Sequence, residues 1–143
     1  MKWKISMIAL IAVIIFFMSF HVESSTPVQT QSLPIICPPR NSIIQVGLSP
    51  YMVQDAGGNW IGGFLAQNAG TINQWTFMFG SIPALNRTVA MTMLVKALPT
   101  ISDPVGPIHV NANQWQCTYK NLYNYMAIAI YPPLGCTQCA NPA

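Results

Sequence analysis

Four cysteines, Cys37, Cys117, Cys136 and Cys139, carry the most obvious chemistry in this chain, and the last two form a C-x-x-C pair in "GCTQC". Such a pair can be a thiol redox centre, half of a zinc site or a disulfide staple. A thioredoxin-type centre needs its first thiol at a helix N-terminus within a βαβ unit, where the thiolate is stabilised. Here "YPPLG" precedes the pair and "ANPA" follows it, a setting that predicts neither helix nor parallel sheet. Zinc ribbons use two closely spaced pairs, whereas Cys37 and Cys117 each stand alone. No metal and no cofactor is expected. An even cysteine count reads first as disulfides in an exported chain. Four cysteines allow three connectivities. Cys37–Cys117 with Cys136–Cys139 is favoured, because Cys117 is expected to face inward on a late strand whose hairpin carries the tail cysteines past it. Pairings that tie Cys37 or Cys117 to the tail stay open. A Cys37–Cys117 bridge would close a long loop, worth roughly 4 kcal/mol in the chain-entropy model.

Acid–base groups are scarce. Beyond residue 25 the only histidine is His109 and the only carboxylic side chains are Asp55 and Asp103. "DPVGPIH" places Asp103 and His109 in one expected loop, the single place where a hydrolase could be imagined. General acid–base catalysis needs positioned partners; there is no G-x-S-x-G, and the chain is short for an α/β-hydrolase. A surface histidine, or one bonded to backbone, is the plainer reading. No catalytic residue is assigned. Aromatic side chains beside amides can hold sugars, and "NLYNY" puts Tyr123 with Asn121 and Asn124 in a turn. These three, with Asp103 and His109, are the candidate ligand-binding residues. Trp75 and Trp115 sit in alternating patterns that turn them inward to a core.

The elements that must position these residues follow from the hydrophobic pattern. "MKWK", an uncharged run "ISMIALIAVIIFFMSF" and "HVESS" have the order of a secretory signal. The apolar run is short for a membrane span. Residues 1–25 are therefore expected to be a cleaved signal, leaving no stable span, with an uncleaved anchor as the rival. Residues 26–36, proline-rich, form an extended lead-in; 37–135 form the domain; 136–143 form a cysteine-containing tail. Within the domain, "SIIQVGL", "WIGGFLAQ", "QWTFMF", "TVAMTMLVKA", "QWQCTYK" and "YMAIAIY" are read as strands. "DAGGN" is a turn, and Gly62 and Gly63 mark a bulge or a close backbone approach. "ALPTISDPVGP" is an irregular connection, and the last two strands form a hairpin. No helix is predicted. The expected fold is all-β: a small antiparallel sandwich or barrel of six to seven strands.

From Thr26 onward only six formal charges remain, four basic and two acidic, against ten Asn and nine Gln. The basic residues are dispersed, which argues against a nucleic-acid partner. "NRT" at Asn86 matches a glycosylation sequon and is read as a chance match.

"CPP…I", "GGNWIGGF" and "WQCTY" together resemble small exported proteins of gamma-proteobacteria, with a Cys-Pro near the mature N-terminus and a late Cys-x-Tyr strand. The resemblance spans about Cys37 to Tyr119. It implies export and a Cys37–Cys117 bridge, and it brings no known activity. A second similarity, to immunoglobulin-like sandwiches, rests on two distant cysteines with Trp60 between them; Trp115 stands where that family has Tyr. The functional expectation is an exported, disulfide-stabilised, non-enzymatic β-domain that is periplasmic, cell-surface or secreted. It would bind an unknown protein or a glycan. The alternative is a thiol-redox or metal-binding protein working through Cys136 and Cys139.

Overall fold

A computed structural model describes residues 34–50 and 52–135. The signal segment, most of the lead-in and the C-x-x-C tail lie outside the described residues. In chain order the elements are helix α1 (Arg40–Val46), strands β1 (Val53–Gln54), β2 (Trp60–Gln67) and β3 (Trp75–Ile82), helix α2 (Arg87–Ala97), a 3-10 turn (Leu98–Thr100), and strands β4 (Val105–Asn111), β5 (Gln114–Thr118) and β6 (Met126–Tyr131). The strands form one antiparallel sheet in the order β1-β2-β3-β6-β5-β4. The small antiparallel all-β fold expected from the sequence is present, with six strands, and its sheet is not closed.

Two segments read as strands are helices. "TVAMTMLVKA" has apolar residues on both parities, so it fits a period of two as well as 3.6. The stripe that is buried is Ala90, Leu94 and Ala97, at helical spacing. Asn86 sets the start: its Oδ1 accepts from the Val89 backbone N–H at 3.0 Å, an N-cap bond. This gives the sequon asparagine a structural role. In "SIIQVGL" the buried residue is Ile43, whereas a strand period would have grouped Ile44, Val46 and Leu48 on one face. The Pro39 carbonyl accepts from Ser42 and Ile43, and Gly47, at a φ of 74°, closes the helix by donating to the Ile43 carbonyl. Two strands were also missed: the short β1, and β4, which begins inside the segment read as an irregular connection. The "DAGGN" turn and the β5–β6 hairpin are where the pattern placed them.

The sheet has one closed face. Trp75, Phe77 and Phe79 of β3, Ala127, Ala129 and Tyr131 of β6, and Cys117 form its floor. Ile43, Leu94, Ala97, Leu98 and Ile101 pack over it. Trp75 and Phe79 are fully buried, and Trp115 packs against the cluster half-buried. Gly62 makes room for the helix layer, since a Cβ there would meet Leu94 Cδ1 at 2.8 Å.

Candidate binding surfaces

Cys37 and Cys117 are bonded across the closed face, with their Cα atoms 5.8 Å apart. The adjoining residues form a second tie. The Tyr119 hydroxyl donates to the Pro38 carbonyl at 2.7 Å, and both residues are buried. Burial raises the Tyr119 pKa well above its ordinary 10.0, because a phenolate would lack solvent. Cys37-Pro38 and Cys117-x-Tyr119, the frame picked out from sequence, thus make one clasp between the chain entering the domain and a late strand. It is a stabilising device, and neither sulfur is free to react. Cys136 and Cys139 lie outside the described residues.

Asp103 and His109 do not share a loop. Asp103 precedes β4 and His109 lies within it. Six residues of mostly extended chain separate them, on the order of 20 Å at strand rise. The His109 ring stands edge-on to Trp115, its cross-strand partner. Among the described residues no three His, Cys, Asp or Glu side chains gather into one group. Asp55 is a turn former: its Oδ1 accepts from the Gly57 and Asn59 backbone N–H groups, and its Oδ2 accepts from Ser81 at 2.6 Å. The Ser81 bond, followed by these backbone bonds, lowers its pKa.

The other three candidates do share a turn, Asn121, Tyr123 and Asn124 lying between β5 and β6. Asn121 is committed to that turn. Its Oδ1 accepts from the Tyr123 and Tyr125 backbone N–H groups, and its Nδ2 donates to the Tyr125 carbonyl at 2.6 Å. Asn124 adopts a φ of 56° to complete the bend. The Tyr123 ring is exposed and stacks on Tyr125 at 5.5 Å between centroids. One exposed aromatic edge with a spent amide is a sparse sugar platform.

The larger surface is the second face of the sheet, which sequence reasoning missed. Cross-strand partners share a face, so the registers define it. Val53, Ile61, Gly80 and Met126 form one row; Gly63, Met78, Ile128, Thr118 and Val105 form the next; Thr76, Ile130, Gln116 and Ile108 form a third. No residue in these rows is charged. Val53, Val105 and Ile108 are exposed, as is Leu65 on the same side. Neither helix packs here; both cover the closed face. Among the described residues the turn after β6 crosses one end, where the Leu134 backbone N–H donates to Thr76 Oγ1 at 2.9 Å, and Thr76 and Ile130 are buried there.

At Gly63 the face is hollow. This residue has a φ of 150°, and a Cβ would run into the Phe77 carbonyl oxygen of the neighbouring strand, so only glycine fits. The depression has a cavity volume of about 460 Å³ and is walled by Val53, Ile61, Leu65, Met78 and Leu134. The signal for this face was present in β6. "MAIAIY" places Ala127, Ala129 and Tyr131 on one side and Met126, Ile128 and Ile130 on the other, which reads as burial on both faces.

No helix among the described residues is long and apolar enough to cross a membrane. No protein-family model matches the chain, and neither a curated protein nor a solved structure matches it, so a reading of its function rests on this geometry.

Proposed function

We propose that the chain is an exported, disulfide-stabilised, non-enzymatic β-domain that binds a partner at the envelope or outside the cell. Residues 1–25 act as the signal, 26–36 as the lead-in and 136–143 as a stapled tail. The observation that carries the reading is the uncharged, largely aliphatic second sheet face on a domain held by an internal disulfide. Folded monomers rarely leave so broad an apolar face in water, and such patches mark interaction sites. A disulfide within the core fits an oxidising compartment. A protein partner is favoured over a glycan, because the rows hold aliphatic side chains and no aromatic ring for a sugar to stack on.

Cell fractionation followed by non-reducing peptide mapping tests the export half. The expected result is a chain outside the cytoplasm, lacking residues 1–25, with Cys37 bonded to Cys117 and Cys136 to Cys139. A cytoplasmic protein with titratable thiols would sink it, and two free tail thiols that bind zinc would establish the thiol or metal alternative. The binding half fails if Leu65→Lys and Val105→Lys leave every detected interaction in place.

A further inference from the structure

We propose that the partner for the open face is a second copy of this chain, packed face to face so that two single sheets become one two-layered β-sandwich. The inference rests on the reading of that face as a binding surface, and it names the occupant.

Extent comes first. The apolar rows run from Val53, paired to β2, to Val105 and Ile108 on β4, the full width of the sheet. Six strands at about 4.8 Å spacing and three rows at roughly 7 Å give a flat footprint on the order of 500 Å² per copy, an upper bound because Thr76 and Ile130 of the third row are already buried. Two such faces bury at most roughly 1,000 Å², the size of a weak, concentration-dependent interface. A small ligand would fill the hollow at Gly63 and leave the β4 side bare. A second sheet covers both, at the ordinary sheet-to-sheet distance of about 10 Å.

Charge comes second. An isologous contact sets each patch against itself, so any formal charge on it tends to meet its own kind. This face carries none. Shape comes third. The hollow at Gly63 lies beside Leu65, a leucine 67% exposed, so the same patch offers a socket and a knob, as a two-fold contact requires. Edge-to-edge association has less to recommend it. β1 is two residues long, while β4 has register shifts on either side of Ile108–His109 and carries Pro107, which has no N–H to donate.

The test is sedimentation velocity on purified protein from cells expressing the full chain, over a concentration series spanning micromolar. The wild type is expected to pass from monomer to dimer. Leu65→Lys and Val105→Lys, at positions 67% and 63% exposed, are each expected to weaken association at least tenfold, with circular dichroism unchanged. Leu122→Lys, in the β5–β6 turn, should leave it intact. A photo-crosslinking side chain placed at Leu65 identifies the neighbour. A crosslink to β2 or β3 of a second copy supports the proposal; a crosslink within one chain to residues 136–143, or to another protein, overturns it. A wild type that stays monomeric at every concentration, or a dimer indifferent to Leu65→Lys and Val105→Lys, also overturns it. If the chain is monomeric but Leu65→Lys abolishes capture of another protein, the dimer fails and the reading of the face stands; if neither is seen, both fail.

Discussion

The two faces of one sheet are built from the same strands and treated oppositely. On the closed face β6 offers Ala127, Ala129 and Tyr131, and the space above the alanines is filled by neighbouring strands' aromatics and by the helix layer. On the open face the same strand offers Met126, Ile128 and the buried Ile130, and neither described helix packs there. The closed face also holds the disulfide and the Tyr119–Pro38 bond. Hydrophobicity alone therefore does not decide which side becomes the core. Coverage does, and it is set by small residues that let a layer approach, Gly62 under Leu94 being the clearest case.

The sharpest way to break this comparison is to truncate neighbouring residues that face opposite ways. Phe77→Ala removes a fully buried ring that touches Phe64, Phe79 and Tyr119 and should cost about 4 kcal/mol in urea unfolding. Met78→Ala, one residue on, should cost the monomer less than about 1 kcal/mol. Equal losses would mean that the open face is covered.

Next in size is the clasp. Replacing Cys37 and Cys117 by alanine should lower stability by about 2–4 kcal/mol, whereas Cys136→Ser with Cys139→Ser should change it little. The two pairs of variants, melted side by side, locate the stabilising bridge. A smaller effect follows from Tyr119→Phe, which leaves the buried Pro38 carbonyl without its donor and should cost about 1–2 kcal/mol.

Tyr119 also sets an alkaline limit. Its pKa is raised in the folded state, so its contribution is complete below the ordinary 10.0 and is lost as pH climbs beyond that, where only the unfolded chain ionises. Tyr119→Phe should flatten the stability curve above pH 10. The least effect belongs to Asp55, whose folded pKa lies below the ordinary 3.8. Its contribution is present above that value and is lost as pH falls through the lower folded pKa. Asp55→Asn should remove this small acid-side slope, read by urea melts between pH 5 and 2.

What could be read from sequence divides along the same line. The central strands β2, β3, β5 and β6 were legible because alternation around Trp75, Phe77, Cys117 and Tyr119 reports a face pressed against a core. The inward setting of Cys117, and its bond to Cys37, followed. The helices were not legible: in α2 the buried positions are occupied by two alanines and a leucine inside a run with apolar residues on both parities, so the conspicuous Val89, Met91, Met93 and Val95 suggested the wrong period. Strand β4 was hidden by Gly106-Pro107 and by an almost wholly exposed surface. The candidate site residues are a separate case. Asn121 and Tyr123 drew attention by residue type, yet the Asn121 amide is consumed by its own turn. The open face uses unremarked aliphatic residues, and only strand pairing brings them together.

The order of the strands also bears on how the chain comes to be folded. β3 pairs with β6 at the middle of the sheet, with α2, β4 and β5 lying between them in sequence. The central ladder and the bridge of Cys37 to a partner 80 residues later both depend on distant partners. β2 and β3 can pair locally as soon as both are made, but the middle of the sheet cannot close before β6. Pairings this distant raise the contact order, which is associated with slower folding.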